Sequence, residues 1–244
     1  PFTFNGRYTK LRYVNCWPKP IQTPPPIFIP GGGSIETWDF CLEHDYVYCY
    51  LSFYGYLRAK QLMDGFWQRV DEWGKDRSPY RAGFAQTIIV ADSDREAETE
   101  YREYVDYFYN RCLHVYPGFA DAPGYRTVNT IKANATSAMT RGALANVSSM
   151  SWSEILENRF VIAGSPDSVV SQMEELITEL RVGNIFCLLH VGNMPMDKCM
   201  RSSRLFAEEV MPRLRGIWPE PEDQRFWIKP WPERQSPRNL EASA

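Results

Sequence analysis

Two features of this 244-residue sequence have residue types and spacing suited to chemistry: a glycine-rich turn and a histidine at the end of an apolar run. Gly31-Gly32-Gly33-Ser34 follows the short run Ile27-Phe28-Ile29 and precedes a helical pattern. Glycines let a backbone approach a ligand closely, and the first turn of a helix offers unpaired N–H groups and the positive dipole end. The amides of Gly31, Gly32 and Gly33 and the Ser34 hydroxyl therefore form a candidate phosphate cradle. The same residues also suit a flexible turn with a serine cap. The turn is not a P-loop, because no Gly-Lys-Ser follows. Nor is it the dinucleotide fingerprint, because Glu36 stands where a third glycine belongs.

His190 closes the apolar run 184–191, within Leu188-Leu189-His190-Val191-Gly192-Asn193. Strand ends meet substrate in parallel barrels, which makes His190 and Asn193 candidate substrate-orienting groups; a structural hydrogen bond is the competing role. His44 and His114 each end a helical pattern, where a cation suits the dipole. No histidine and carboxylate share a metal-ligand spacing, so no metal site is expected. Ser/His/Asp catalysis lacks a nucleophile-elbow sequence. Tyr48, Tyr50, Tyr54 and Tyr56 read either as core or as walls around a flat aromatic ligand. None of the six cysteines forms a CxxC pair, which favours free buried thiols in a reducing cytoplasm.

Several elements must position these groups. Residues 1–26 read as loop, because each proline removes a donor and pushes its predecessor to extended geometry. Residues 27–29 predict a strand, with Ser34 capping a helix over 35–43. A second strand covers 46–51, and a helix covers 57–73, with Leu62, Phe66, Val70 and Trp73 inward. A third strand covers 82–91, and a helix capped by Asp92-Ser93-Asp94 runs to about residue 114. The Gly-, Pro- and Ser-rich stretch 116–151 reads as an insertion or lid. Phe160-Val161-Ile162-Ala163-Gly164 leads to Ser165-Pro166, a cap with proline at the first helical position, and that helix runs to about residue 180. The fourth strand, 184–191, is apolar enough to be buried on both faces. A helix over 197–215 precedes a Pro- and charge-rich tail, 219–244, expected to fray or to pack on a partner through Trp227 and Trp231.

Four strands each followed by a helix predict an α/β fold with a parallel sheet. The composition, 44% apolar and 23% charged, is that of a globular chain. A net charge of −3 offers no basic surface for nucleic acid. No apolar run approaches the ~20 residues of a membrane span, so neither nucleic acid nor membrane is an expected partner.

The order of three further segments is specific. Phe4-Asn5-Gly6-Arg7-Tyr8 is followed by Trp17-Pro18-Lys19-Pro20-Ile21-Gln22 and then by Pro25-Pro26-Ile27-Phe28-Ile29. With Val161-Ile162-Ala163-Gly164-Ser165-Pro166-Asp167 and Leu205-Phe206-Ala207-Glu208-Glu209-Val210-Met211-Pro212, this order resembles the bacterial-luciferase-like flavin-dependent monooxygenases over residues 1 to about 218. The resemblance implies a (β/α)8 TIM barrel, here its last four βα units, with Pro1 falling within a longer chain. It implies reduced FMN supplied by a flavin reductase, reacting with oxygen and a small organic substrate, or a deazaflavin in one branch that transfers hydride. It places the flavin phosphate on Gly31, Gly32, Gly33 and Ser34. Homo-oligomers are expected of the full-length form, and an isolated half-barrel would expose strand edges and pair or aggregate. A non-catalytic flavin-binding barrel is the remaining alternative.

Overall fold

Apolar runs too short for helices, each followed by an amphipathic helical pattern, make a parallel sheet with helices against it. The computed structural model describes residues 1–20, 25–51, 55–113 and 147–219. Residues 1–27 belong to one unit and residues 28–227 to another. The first carries an antiparallel pair, β1 (Phe2–Asn5) and β2 (Lys10–Val14), with Phe4 opposite Leu11. The expectation of an all-loop opening is corrected here. The prolines that excluded regular structure all lie at residue 18 or beyond except Pro1, so they leave residues 2–14 free to pair.

In the second unit the order is β3 (Phe28–Pro30), α1 (Ile35–His44), β4 (Val47–Leu51), α2 (Tyr56–Glu72), β5 (Ala82–Val90) and α3 (Asp94–Tyr107). After residue 146 come α4 (Trp152–Glu157), β6 (Ile162–Gly164), α5 (Pro166–Leu180), β7 (Asn184–Leu188), α6 (Met196–Leu205) and α7 (Met211–Leu214). Strands β3, β4, β5 and β7 pair in parallel in chain order, with Pro30 beside Cys49, Cys49 beside Gly83, and Gly83 beside Asn184. Among the described residues the sheet has five strands rather than four. Residues 162–164 form a further strand, β6, parallel to the last third of β5. The insertion expected over 116–151 and the tail over 219–244 lie almost wholly outside the described residues.

One face of the sheet is packed. Tyr48, Tyr50, Phe84, Ile88 and Val90 meet Leu62, Met63 and Phe66 of α2 and Val169, Met173 and Leu176 of α5 in one apolar core. Trp73 was expected on that face, but it stands just past the end of α2, 39% exposed, and its indole N–H donates to Asp39. The other face is covered only in part: Val47 and Cys49 pack with Tyr80, and Ile89 and Ala163 pack with Tyr101, Tyr104 and Val105 of α3, while Leu51 is 37% and Phe186 40% exposed. Strand β7 is therefore not buried on both sides as its composition predicted. An apolar run reads the same whether one face or two is covered. Among the described residues no helix is long and apolar enough to cross a membrane.

Candidate functional site

The glycine turn leaves the carboxyl end of β3 and opens α1. The Gly31 N–H donates to the Cys49 carbonyl at 2.9 Å, extending the sheet ladder by one bond. The Tyr48 hydroxyl donates to the Gly31 carbonyl at 3.1 Å. Gly33 has φ +92°, and a Cβ there would lie 2.1 Å from Leu62 Cδ2, so the turn is held against α2. A Cβ on Gly32 would meet nothing within 4 Å. Ser34 caps α1: its Oγ accepts from the Thr37 N–H at 3.2 Å and lies 2.7 Å from the Thr37 hydroxyl.

This geometry narrows the cradle. The Gly31 amide is consumed by the sheet and is not turned to a ligand. Open space beside Gly32, two adjoining hydroxyls and the start of a ten-residue helix remain. The amides of the turn, one hydroxyl proton left over from the Ser34–Thr37 pair and the helix start, beside open space at Gly32, fit a phosphate group. Thr37 was missed in the sequence. Its signal was the three-residue spacing from Ser34, which puts both hydroxyls on one helical turn.

The other candidates stand apart. His190 is exposed past the end of β7, with Nε2 2.9 Å from the Met194 carbonyl. Asn193 is exposed in the turn between them. His44 stacks on Tyr46 with ring centres 5.3 Å apart and lies edge-on to Phe40. Tyr48 and Tyr50 point into the helix-side core, so they do not wall a ligand on the open face. His114 and Tyr54 fall outside the described residues. All six cysteines are unpaired. Burial pushes the thiols of Cys41 and Cys49 up to about 12, and that of Cys187 to about 11, which keeps them neutral and poorly nucleophilic.

A cleft of about 420 Å³ lies between α3, α4 and α5 and shares no residue with the glycine turn or the end of β7. Three of its charged groups, Asp94, Glu98 and Arg102, already have partners. Asp94 accepts from the Ser165 N–H and the Ser168 hydroxyl, and Arg102 pairs with Glu98 and Asp106.

A parallel sheet of strands alternating with helices, with a glycine turn and helix start at a strand's carboxyl end, is an α/β arrangement of the barrel type. The chain belongs to the luciferase-like monooxygenase family, whose sequence pattern matches residues 1–182. Its structure is similar to the monooxygenase RslO1 from Streptomyces bottropensis, at 15% identity and a TM-score of 0.54 over 86% of this chain. It is also similar to the oxygenating constituent of 3,6-diketocamphane monooxygenase of Pseudomonas putida, at 19% identity and a TM-score of 0.56 over 87% of this chain. These matches cover 55% and 58% of the two larger chains, so this chain spans little more than half their length. No curated protein matches the sequence significantly.

Proposed function

We propose that the protein is a flavin-dependent oxidoreductase of the monooxygenase type, taking reduced FMN from a flavin reductase and acting with O2 on a small apolar or aromatic substrate. The observation that carries this reading is the turn at Gly32, open beside its Cα and followed by the Ser34 and Thr37 hydroxyls on the first turn of α1. Amides, hydroxyls and a helix dipole together suit a phosphate dianion without a lysine or arginine. The Pseudomonas neighbour is described in complex with FMN. Bound FMN supplies the electron pair and the oxygen chemistry. The protein's part is to hold the phosphate, to offer an apolar surface and to orient the substrate.

That surface is the exposed part of the sheet's second face. Leu51, Ala85 and Phe186 lie in register across β4, β5 and β7 and present no charge. The apolar substrate therefore rests on these residues rather than on the tyrosines of β4. In this reading His190 and Asn193, just beyond β7, orient it. The unpaired cysteines suit a reducing cytoplasm.

Titration with FMN, followed by quenching of flavin fluorescence, should give saturable binding, and a reductase with NADH should then drive oxygen uptake. Binding of a deazaflavin alone would assign hydride transfer without oxygen instead. Absence of binding by either flavin would sink the reading. His190→Ala should lower turnover and leave FMN affinity unchanged; unaltered turnover removes His190 from the site.

A further inference from the structure

Tyr48 is fully buried in β4, yet its hydroxyl reaches the glycine turn. The ring is fixed on every side the core provides. It stacks on Phe66 with centroids 4.9 Å apart at 30°, and Trp38 stands edge-on to it at 6.1 Å. A Cβ on Gly31 would lie 2.9 Å from Tyr48 Cε2 and 2.9 Å from Thr37 Cγ2, so the turn rests directly on this ring and on the helix start. Burial drives the hydroxyl's pKa well above the ordinary tyrosine value, which keeps its proton available to donate.

We propose that Tyr48 is a positioning residue for phosphate: its hydroxyl, bonded to the Gly31 carbonyl, fixes the peptide plane from which the Gly32 cradle and the Ser34–Thr37 pair are set. The inference rests on the phosphate-cradle reading given above. A core tyrosine needs only one hydrogen-bond partner, and any nearby carbonyl would serve. Here the partner is the residue whose own N–H ends the β3 ladder at Cys49, so both sides of Gly31 are tied to β4. The carbonyl is pinned by a side chain and the amide by the backbone of the same strand. With Gly33 lodged against Leu62, the turn is held at both ends and open only at Gly32. Such prior ordering removes an entropy cost from ligand binding.

The test is Tyr48→Phe, read against FMN and against riboflavin, which has the same ring and no phosphate. Losing one neutral hydrogen bond should weaken FMN binding about three- to tenfold. Riboflavin affinity should stay close to wild type, which a merely structural role would not predict, while the thermal midpoint falls by the few degrees that one lost buried hydrogen bond brings. Equal loss for both flavins, or no loss for FMN, overturns the inference. If wild type itself binds FMN no better than riboflavin, the cradle reading fails, and this inference with it. Should Tyr48→Phe not fold, Gly31→Ala probes the same contact from the other side, because its methyl group displaces the turn from the ring. The same selective loss for FMN is then expected, and an unchanged FMN preference overturns the inference.

Discussion

Replacing Arg81 by methionine should destabilise the fold by about 2–3 kcal/mol, measured by chemical denaturation. Arg81 immediately precedes β5, with its side chain 1% exposed. Its Nε donates to the Asp76 carbonyl at 2.9 Å, Nη2 to Asp76 Oδ2 at 2.5 Å, and Nη1 to Asp45 Oδ1 at 2.9 Å. Asp45 is the left-handed cap of α1, also held by Lys75, so one guanidinium ties the end of α1 and the loop after α2 to the central strand. Removing one partner of a buried ion pair typically costs 3–5 kcal/mol. The two carboxylates here are 32% and 51% exposed and can rehydrate, which lowers the expected cost.

The clamp also predicts a pH dependence. Burial works to raise the Asp45 pKa, but hydrogen bonds from Arg81 and Lys75 outweigh it and hold the carboxyl below its usual range. A depressed folded-state pKa means the contribution is complete above the unfolded value and lost as pH falls through the folded one. The acid limb of the stability curve should therefore be shallower in Arg81→Met than in wild type. A stability change under 0.5 kcal/mol with an unchanged acid limb would show the clamp to be dispensable.

The sequence was most legible where local chemistry decides the structure. Ser34, Ser93 and Ser165 each cap a helix by accepting from a backbone N–H three residues on, and Pro166 takes the first helical position. The inward faces of α2 and α5 follow their 3.6-residue period. What escaped notice depends on partners distant in the chain. Strand β6 is three residues long and exists because β5 runs on past β7 and leaves Ile88–Val90 an edge to pair. No periodicity marks so short a run. The direction of Tyr48 and Tyr50 was also hidden. Alternation in Val47-Tyr48-Cys49-Tyr50-Leu51 separates two faces, but both carry apolar residues, so the pattern does not say which one meets the helices. At the site, the glycine turn was visible as composition. The spending of the Gly31 amide on Cys49 was not, because it depends on the register between β3 and β4.

Alanine at Gly33 and alanine at Gly32 should have opposite consequences, although the residues are adjacent and chemically identical. Gly33 sits at φ +92°, a conformation that costs a side-chain-bearing residue about 1–3 kcal/mol. Its new methyl would also stand 2.1 Å from Leu62 Cδ2, and Leu62 is only 6% exposed, with little room to turn. Overpacking of this kind adds about 1–3 kcal/mol, so Gly33→Ala should lose about 2–6 kcal/mol in all and weaken FMN binding through distortion of the turn. Gly32 meets no such obstacle. Its methyl enters empty space, so the stability of Gly32→Ala should lie within about 0.5 kcal/mol of wild type. That same space is where the phosphate is proposed to sit, so FMN affinity should fall at least tenfold while riboflavin affinity holds. Denaturation curves and parallel titrations with the two flavins separate the cases. If Gly32→Ala binds FMN as wild type does, the phosphate does not occupy the turn, whatever happens at Gly33. If Gly33→Ala is as stable as wild type, Leu62 and the backbone yield more readily than their burial implies, and the turn is not rigid enough to preorganise a ligand.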